Sequence, residues 1–99
     1  MDIEAFERSL GGDAPPSGLD APLQALWHEA AGDWEQAHRV VQADSSRSAA
    51  WVHAYLHRKE GDQSNAGYWY ARAGKPVSGA HIDDEWHQIV LALLKPGES

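Results

Sequence analysis

Apolar residues along this chain recur at intervals of three and four, the period of a helix face, and no segment alternates with the period of two that marks a strand. Ile3, Phe6 and Leu10 form the first stripe, with Asp2 placed to cap its start and Gly11-Gly12 to stop it. Leu23, Leu26, Trp27 and Ala30 form the second, opened by Asp20, with Pro22 tolerated in the first turn, and closed at Gly32. A third starts at once at Asp33 and carries Trp34, Ala37, Val40 and Val41. After a break at Asp44-Ser45-Ser46, whose serines are candidate caps, the helix of Trp51 runs to Gly61, and the next runs from about Asp62 to a stop at Gly74. Ile82, Trp86, Ile89, Val90 and Leu93 make the last stripe, with Asp83, Asp84 and Glu85 at its positive N-terminal end and Pro96-Gly97 closing it.

These signals predict an all-α fold in one domain. The expected organisation is a docking helix over residues 1–10, a proline- and glycine-rich linker over 11–19, a helical hairpin over 20–44, a second over 45–74, a linker over 75–81 and a capping helix over 82–95. The stretch WVHAYLHRKEGDQSNAGYWYARAG, Trp51 to Gly74, is the centre of that scheme, because it combines the turn at Gly61-Asp62 with three consecutive aromatics, two histidines and the Arg58-Lys59 pair.

Sliding the chain by 29 residues aligns Ala25 with Ala54, His28 with His57, Gly32 with Gly61, Asp33 with Asp62 and Ala37 with Ala66. The shared pattern is a helix, a glycine-containing turn and a second helix with a small residue where the two cross, which lets the backbones approach. In the second copy Ala54, Gly61-Asp62, Ala66, Trp69-Tyr70, Arg72 and Ala73 resemble the Sel1-like and tetratricopeptide helical repeats. The first copy has Val40-Val41 in place of the Trp-Tyr pair and Asp44 in place of Ala73. The resemblance covers Pro22 to Gly74 and implies two antiparallel hairpins in a right-handed stack, used as a binding scaffold for a protein or peptide. The run WVHAYLHRKEGD is also similar to small bacterial proteins. Two hairpins are fewer than an open solenoid needs, so the end helices are expected to act as caps or as contacts of a homodimer.

Composition narrows the partner. A net charge of −7 over 99 residues disfavours nucleic acid and anionic membranes, both of which are bound by neutralising phosphate with Lys and Arg. No cysteine is present, which removes thiolate chemistry and points to a reducing, cytoplasmic setting. No stretch approaches the ~20 apolar residues of a membrane span, and MDIEAFERSL is acidic where a signal peptide is basic, so a soluble protein is expected. Five tryptophans and six histidines are many for the length.

If the first helix of each repeat lines a concave face, Trp51, Tyr55, Arg58 and Lys59 fall on it together, an aromatic and basic surface suited to an acidic peptide or protein. The alternative is a small metal- or ligand-binding protein. His53 and His57, at i and i+4, can chelate zinc or another divalent transition metal when a third ligand arrives, and His28, the repeat counterpart of His57, is the candidate. A histidine at that repeat position can instead simply pack. His81 and His87 with Asp83 and Asp84 read as helix-start chemistry, not as a site, since rings six positions apart on a helix diverge. Catalysis has little support, because neither a nucleophile elbow nor a phosphate loop is present.

Overall fold

A computed structural model describes residues 1–94, and among these it contains six α-helices and no strand. They are α1 (Ile3–Ser9), α2 (Ala21–Ala30), α3 (Trp34–Gln42), α4 (Arg47–Glu60), α5 (Gln63–Ala73) and α6 (Ile82–Leu94). The expected end of the last helix at residue 95 and the stop at Pro96-Gly97 lie outside the described residues.

Each start from α1 to α5 is set by a side chain that satisfies an otherwise unpaired backbone N–H of the first turn. Asp2 accepts from the Ala5 amide at 2.8 Å, Asp33 from Gln36 at 3.0 Å and Ser46 from Ala49 at 3.1 Å. Asp20 and Asp62 do the same for Leu23 and Asn65, both at 3.3 Å. The stops are left-handed glycines, with φ of 88° at Gly61 and 71° at Gly74. Gly32, at φ 94°, makes the turn between α2 and α3 just past the cap residue Ala31.

Consecutive helices fold onto each other across these turns: α2 packs on α3, α3 on α4 and α4 on α5. Ala37 and Ala66 are fully covered, as residues at close helix approaches must be. The core is built around α4, whose Val52, Tyr55 and Leu56 pack with Leu23, Leu26 and Trp27 of α2 and Trp86, Ile89 and Val90 of α6. α6 closes the open side of this layer, and the Trp86 indole N–H donates to the Leu26 carbonyl at 3.1 Å. α1 sits on α6 through Phe6, which is fully buried against the Trp86 ring at 5.8 Å. No helix among the described residues is long and apolar enough to cross a membrane.

Candidate metal centre and the two faces of α4

α4 presents different chemistry on its two sides because fourteen residues make almost four turns. Toward α3 and α5 it presents His53 and His57. Across the seam, α3 contributes His38 one turn beyond Trp34, and α5 contributes Trp69. One ring nitrogen from each of His38, His53 and His57 lies within 4.8 Å of the other two. His38 and His53 meet Nε2 to Nε2 at 3.0 Å, so one ring carries the proton and the other accepts it.

Aromatic rings enclose the three imidazoles. Trp69 stacks on His53 with centroids 3.8 Å apart, Trp34 stacks on His38 at 5.0 Å, and the His53 and His57 rings lie nearly parallel at 5.0 Å. Trp34 is itself anchored, its indole N–H donating to the Leu56 carbonyl at 2.9 Å. Burial pushes His53 down to about 4, with the neighbouring His38 and His57 adding to the effect, and burial likewise lowers His38. His38 and His53 are therefore neutral at pH 7, the form in which imidazole binds metal. His57 Nδ1 is the one buried side-chain polar atom among the described residues without a hydrogen-bond partner, although a Glu60 carboxylate oxygen stands 3.5 Å away.

His28 does not join this group. It lies beside Trp27 on α2, edge to face at 5.4 Å, and His38 of α3 is the third member of the cluster. The expected set His28, His53 and His57 is thus corrected to His38, His53 and His57. The repeat alignment equates His28 with His57, but equivalent positions in a repeat need not touch, and it is α3 that brings a histidine against this face of α4. His38 carried a usable signal, its spacing of four from Trp34, which matches that of His53 from His57.

The other face of α4 turns to α2 and α6. Tyr55 is buried and its hydroxyl donates to Glu29 at 3.3 Å, while burial first, and the Glu29 charge second, push the phenol upward. Lys59 pairs with the same buried Glu29. Arg58 donates to Glu85 at 2.7 Å and also to the Ala80 carbonyl, and Tyr70 donates to the second oxygen of Glu85. Trp51 is half-buried with the Lys75 ammonium over its ring at 4.2 Å. Trp51, Tyr55, Arg58 and Lys59 therefore do not share one concave face. Only Tyr55 and Lys59 line the same cleft, about 310 Å³ in volume, with Glu7, Glu29, Asp83 and His87 around them. Trp69 is half-buried, since one face covers His53 and Arg72 lies over the ring at 5.3 Å.

His81 and His87 stay apart from the cluster. The Asp83 amide donates to His81 Nδ1 at 3.3 Å at the start of α6, and His87 spans from the Asp83 carbonyl to Glu7 of α1 at 3.1 Å. Comparison with protein-family models, with curated proteins and with solved structures finds no match.

Proposed function

We propose that this protein binds one divalent transition-metal ion, zinc or a chemically similar ion, through His38, His53 and His57. The observation that carries this reading is the convergence of three imidazoles from two helices, each offering a ring nitrogen within 4.8 Å of the others, with His57 alone facing a carboxylate, that of Glu60 at 3.5 Å. Tetrahedral zinc with Zn–N bonds of ~2.0–2.1 Å places its ligand atoms about 3.3 Å apart. The 3.0 Å between His38 and His53 is close to that spacing, so metal would replace the shared proton with little movement of either ring. Nitrogen-only ligation without sulfur suits zinc, copper, nickel or cobalt, and disfavours the hard, oxygen-seeking calcium and magnesium. Trp34 and Trp69 restrict ring rotation and hold the imidazoles near the bound geometry.

The test is elemental analysis of the purified protein together with thermal melts in Zn²⁺, Co²⁺ and Ni²⁺ before and after chelation. About one metal per chain is expected, with a melting temperature that rises with free metal, since a ligand held at 100 times its Kd adds ~2.7 kcal/mol. His38→Gln should abolish the rise and His28→Gln should leave it intact. A chain that acquires no metal and shows no shift with any of the three ions would overturn the proposal.

A second reading, a scaffold for a peptide or small ligand, draws on the cleft lined by Tyr55 and Lys59. Its carboxylates, from Glu7, Glu29 and Asp83, outnumber its basic groups Lys59 and His87, so its complement is cationic where the sequence pattern suggests an acidic partner.

A further inference from the structure

We infer that Glu60 supplies the fourth ligand of this metal centre, giving a closed three-histidine, one-carboxylate site. The inference rests on the proposed binding at His38, His53 and His57. Glu60 is the last residue of α4, followed by the left-handed cap Gly61. A carboxylate there faces the negative end of the helix dipole, where cations are favoured, so the helix itself gives no reason for an acid at this position. The rest of the last turn obeys the rule, with His57, Arg58 and Lys59.

What Glu60 does face is His57, with which it and Asp62 form a second group sharing that one histidine with the cluster. Its oxygen stands 3.5 Å from His57 Nδ1, the buried atom left without a hydrogen bond, and this separation matches the ~3.3 Å edge of a tetrahedral site. Its charge also reaches His38, where it opposes the lowering that burial and His57 impose. The side chain is half exposed and has no other ion pair among the described residues, so it can rotate inward at little cost. Three neutral imidazoles leave a bound dication uncompensated in a largely dry setting, and a carboxylate removes half of that charge.

Asp62 also lies near His57, but it is committed elsewhere. Its oxygens accept from the Asn65 amide at 3.3 Å and from the Asn65 side chain at 2.6 Å, which caps α5.

The experiment titrates Zn²⁺ into wild type, Glu60→Gln and Asp62→Asn against a chromophoric chelator, and records Co²⁺ visible spectra with and without azide. The expected result is a loss of at least ~10-fold in Zn²⁺ affinity for Glu60→Gln, from the missing ligand and charge. Wild-type Co²⁺ spectra should ignore azide, because no coordination position is open, and Glu60→Gln spectra should shift with it. Metal-free Glu60→Gln should melt at or above the wild-type temperature, which separates lost ligation from lost fold. Wild-type affinity in Glu60→Gln, or a wild-type Co²⁺ spectrum already shifted by azide, would reduce Glu60 to an outer partner of His57 Nδ1 and overturn the inference while leaving the three-histidine site standing. Failure of wild type itself to bind Zn²⁺ or Co²⁺ would remove both.

Discussion

His53 is held neutral first by its burial, with the Trp69 ring of α5 stacked on it, and then by its neighbours His38 of α3 and His57 of its own helix. Its folded value of about 4 lies below the ordinary 6.5, so between those limits the unfolded chain binds the extra proton. The resulting stability is present in full above pH 6.5 and is lost as pH falls toward 4. For the chelated protein we expect a loss on the order of 2–3 kcal/mol over that interval, at about 1.4 kcal/mol per unit where the slope is steepest. Urea melts at several pH values check it, and His53→Phe should flatten the acid limb. His87 works in the opposite sense: the Asp83 carbonyl and Glu7 raise it, so its exposed link between α1 and α6 holds below pH 6.5 and weakens above.

Glu85 makes the second prediction at this scale. Its carboxylate is 1% exposed and is satisfied by Arg58 and Tyr70, so Arg58→Met leaves a buried charge with only a phenol as partner. Breaking such a pair costs roughly 3–5 kcal/mol, whereas Arg58→Met with Glu85→Gln should recover much of it. Denaturant melts that place Arg58→Met within about 1 kcal/mol of wild type would contradict this reading.

At the scale of the helix, boundaries were the most legible feature of the sequence. Asp2, Asp20 and Ser46 cap where the pattern put caps, α3 and α5 begin beside Asp33 and Asp62 where it put starts, and Gly61 and Gly74 stop α4 and α5, because these signals are local and depend on a few atoms of backbone. Partnership between helix faces was less legible. A stripe at i, i+4 says which residues share a face but not what that face meets, which is why Tyr55 and Arg58 read as surface when α6 covers them. His38 was missed for the same reason, since nothing in α3 alone shows that it meets α4. The contrast gives a paired prediction. A Cβ at Gly61 would meet nothing within 4 Å, so Gly61→Ala costs only backbone strain at φ 88°, about 1–2 kcal/mol. Ala66, 1% exposed, has no such room, and Ala66→Leu should cost roughly 1–3 kcal/mol by overpacking. For Ala66→Leu the cost should come with displaced signals around Trp51 and Trp69, which Gly61→Ala leaves alone.

For the whole molecule the question is what lets two pairs of helices stand without further repeats. The Cα radius of gyration is 12.5 Å, close to the ~13 Å of a compact 100-residue domain, so the chain does not extend as an open solenoid. α6 is the reason, since it packs against α1, α2 and α4 together. It buries Trp86, Ile89 and Val90, each worth about 1.5–3 kcal/mol or more against exposure, and it brings the Glu85 partner of Arg58. That sum is comparable to the roughly 5–10 kcal/mol that holds a domain of this size together. Deleting residues 82–99 would expose Phe6 and Leu26 and strand the Arg58 guanidinium, with no compensating contact from the remaining five helices. We therefore expect the truncated chain to lose cooperative melting in calorimetry and to aggregate. The His38, His53 and His57 seam does not include α6, so under the proposed reading saturating Zn²⁺ should restore some α3–α4 order but not the cooperative transition. A truncated chain that melts cooperatively within a few degrees of the full-length protein would show that α2 to α5 form a self-sufficient unit and that α6 is an accessory.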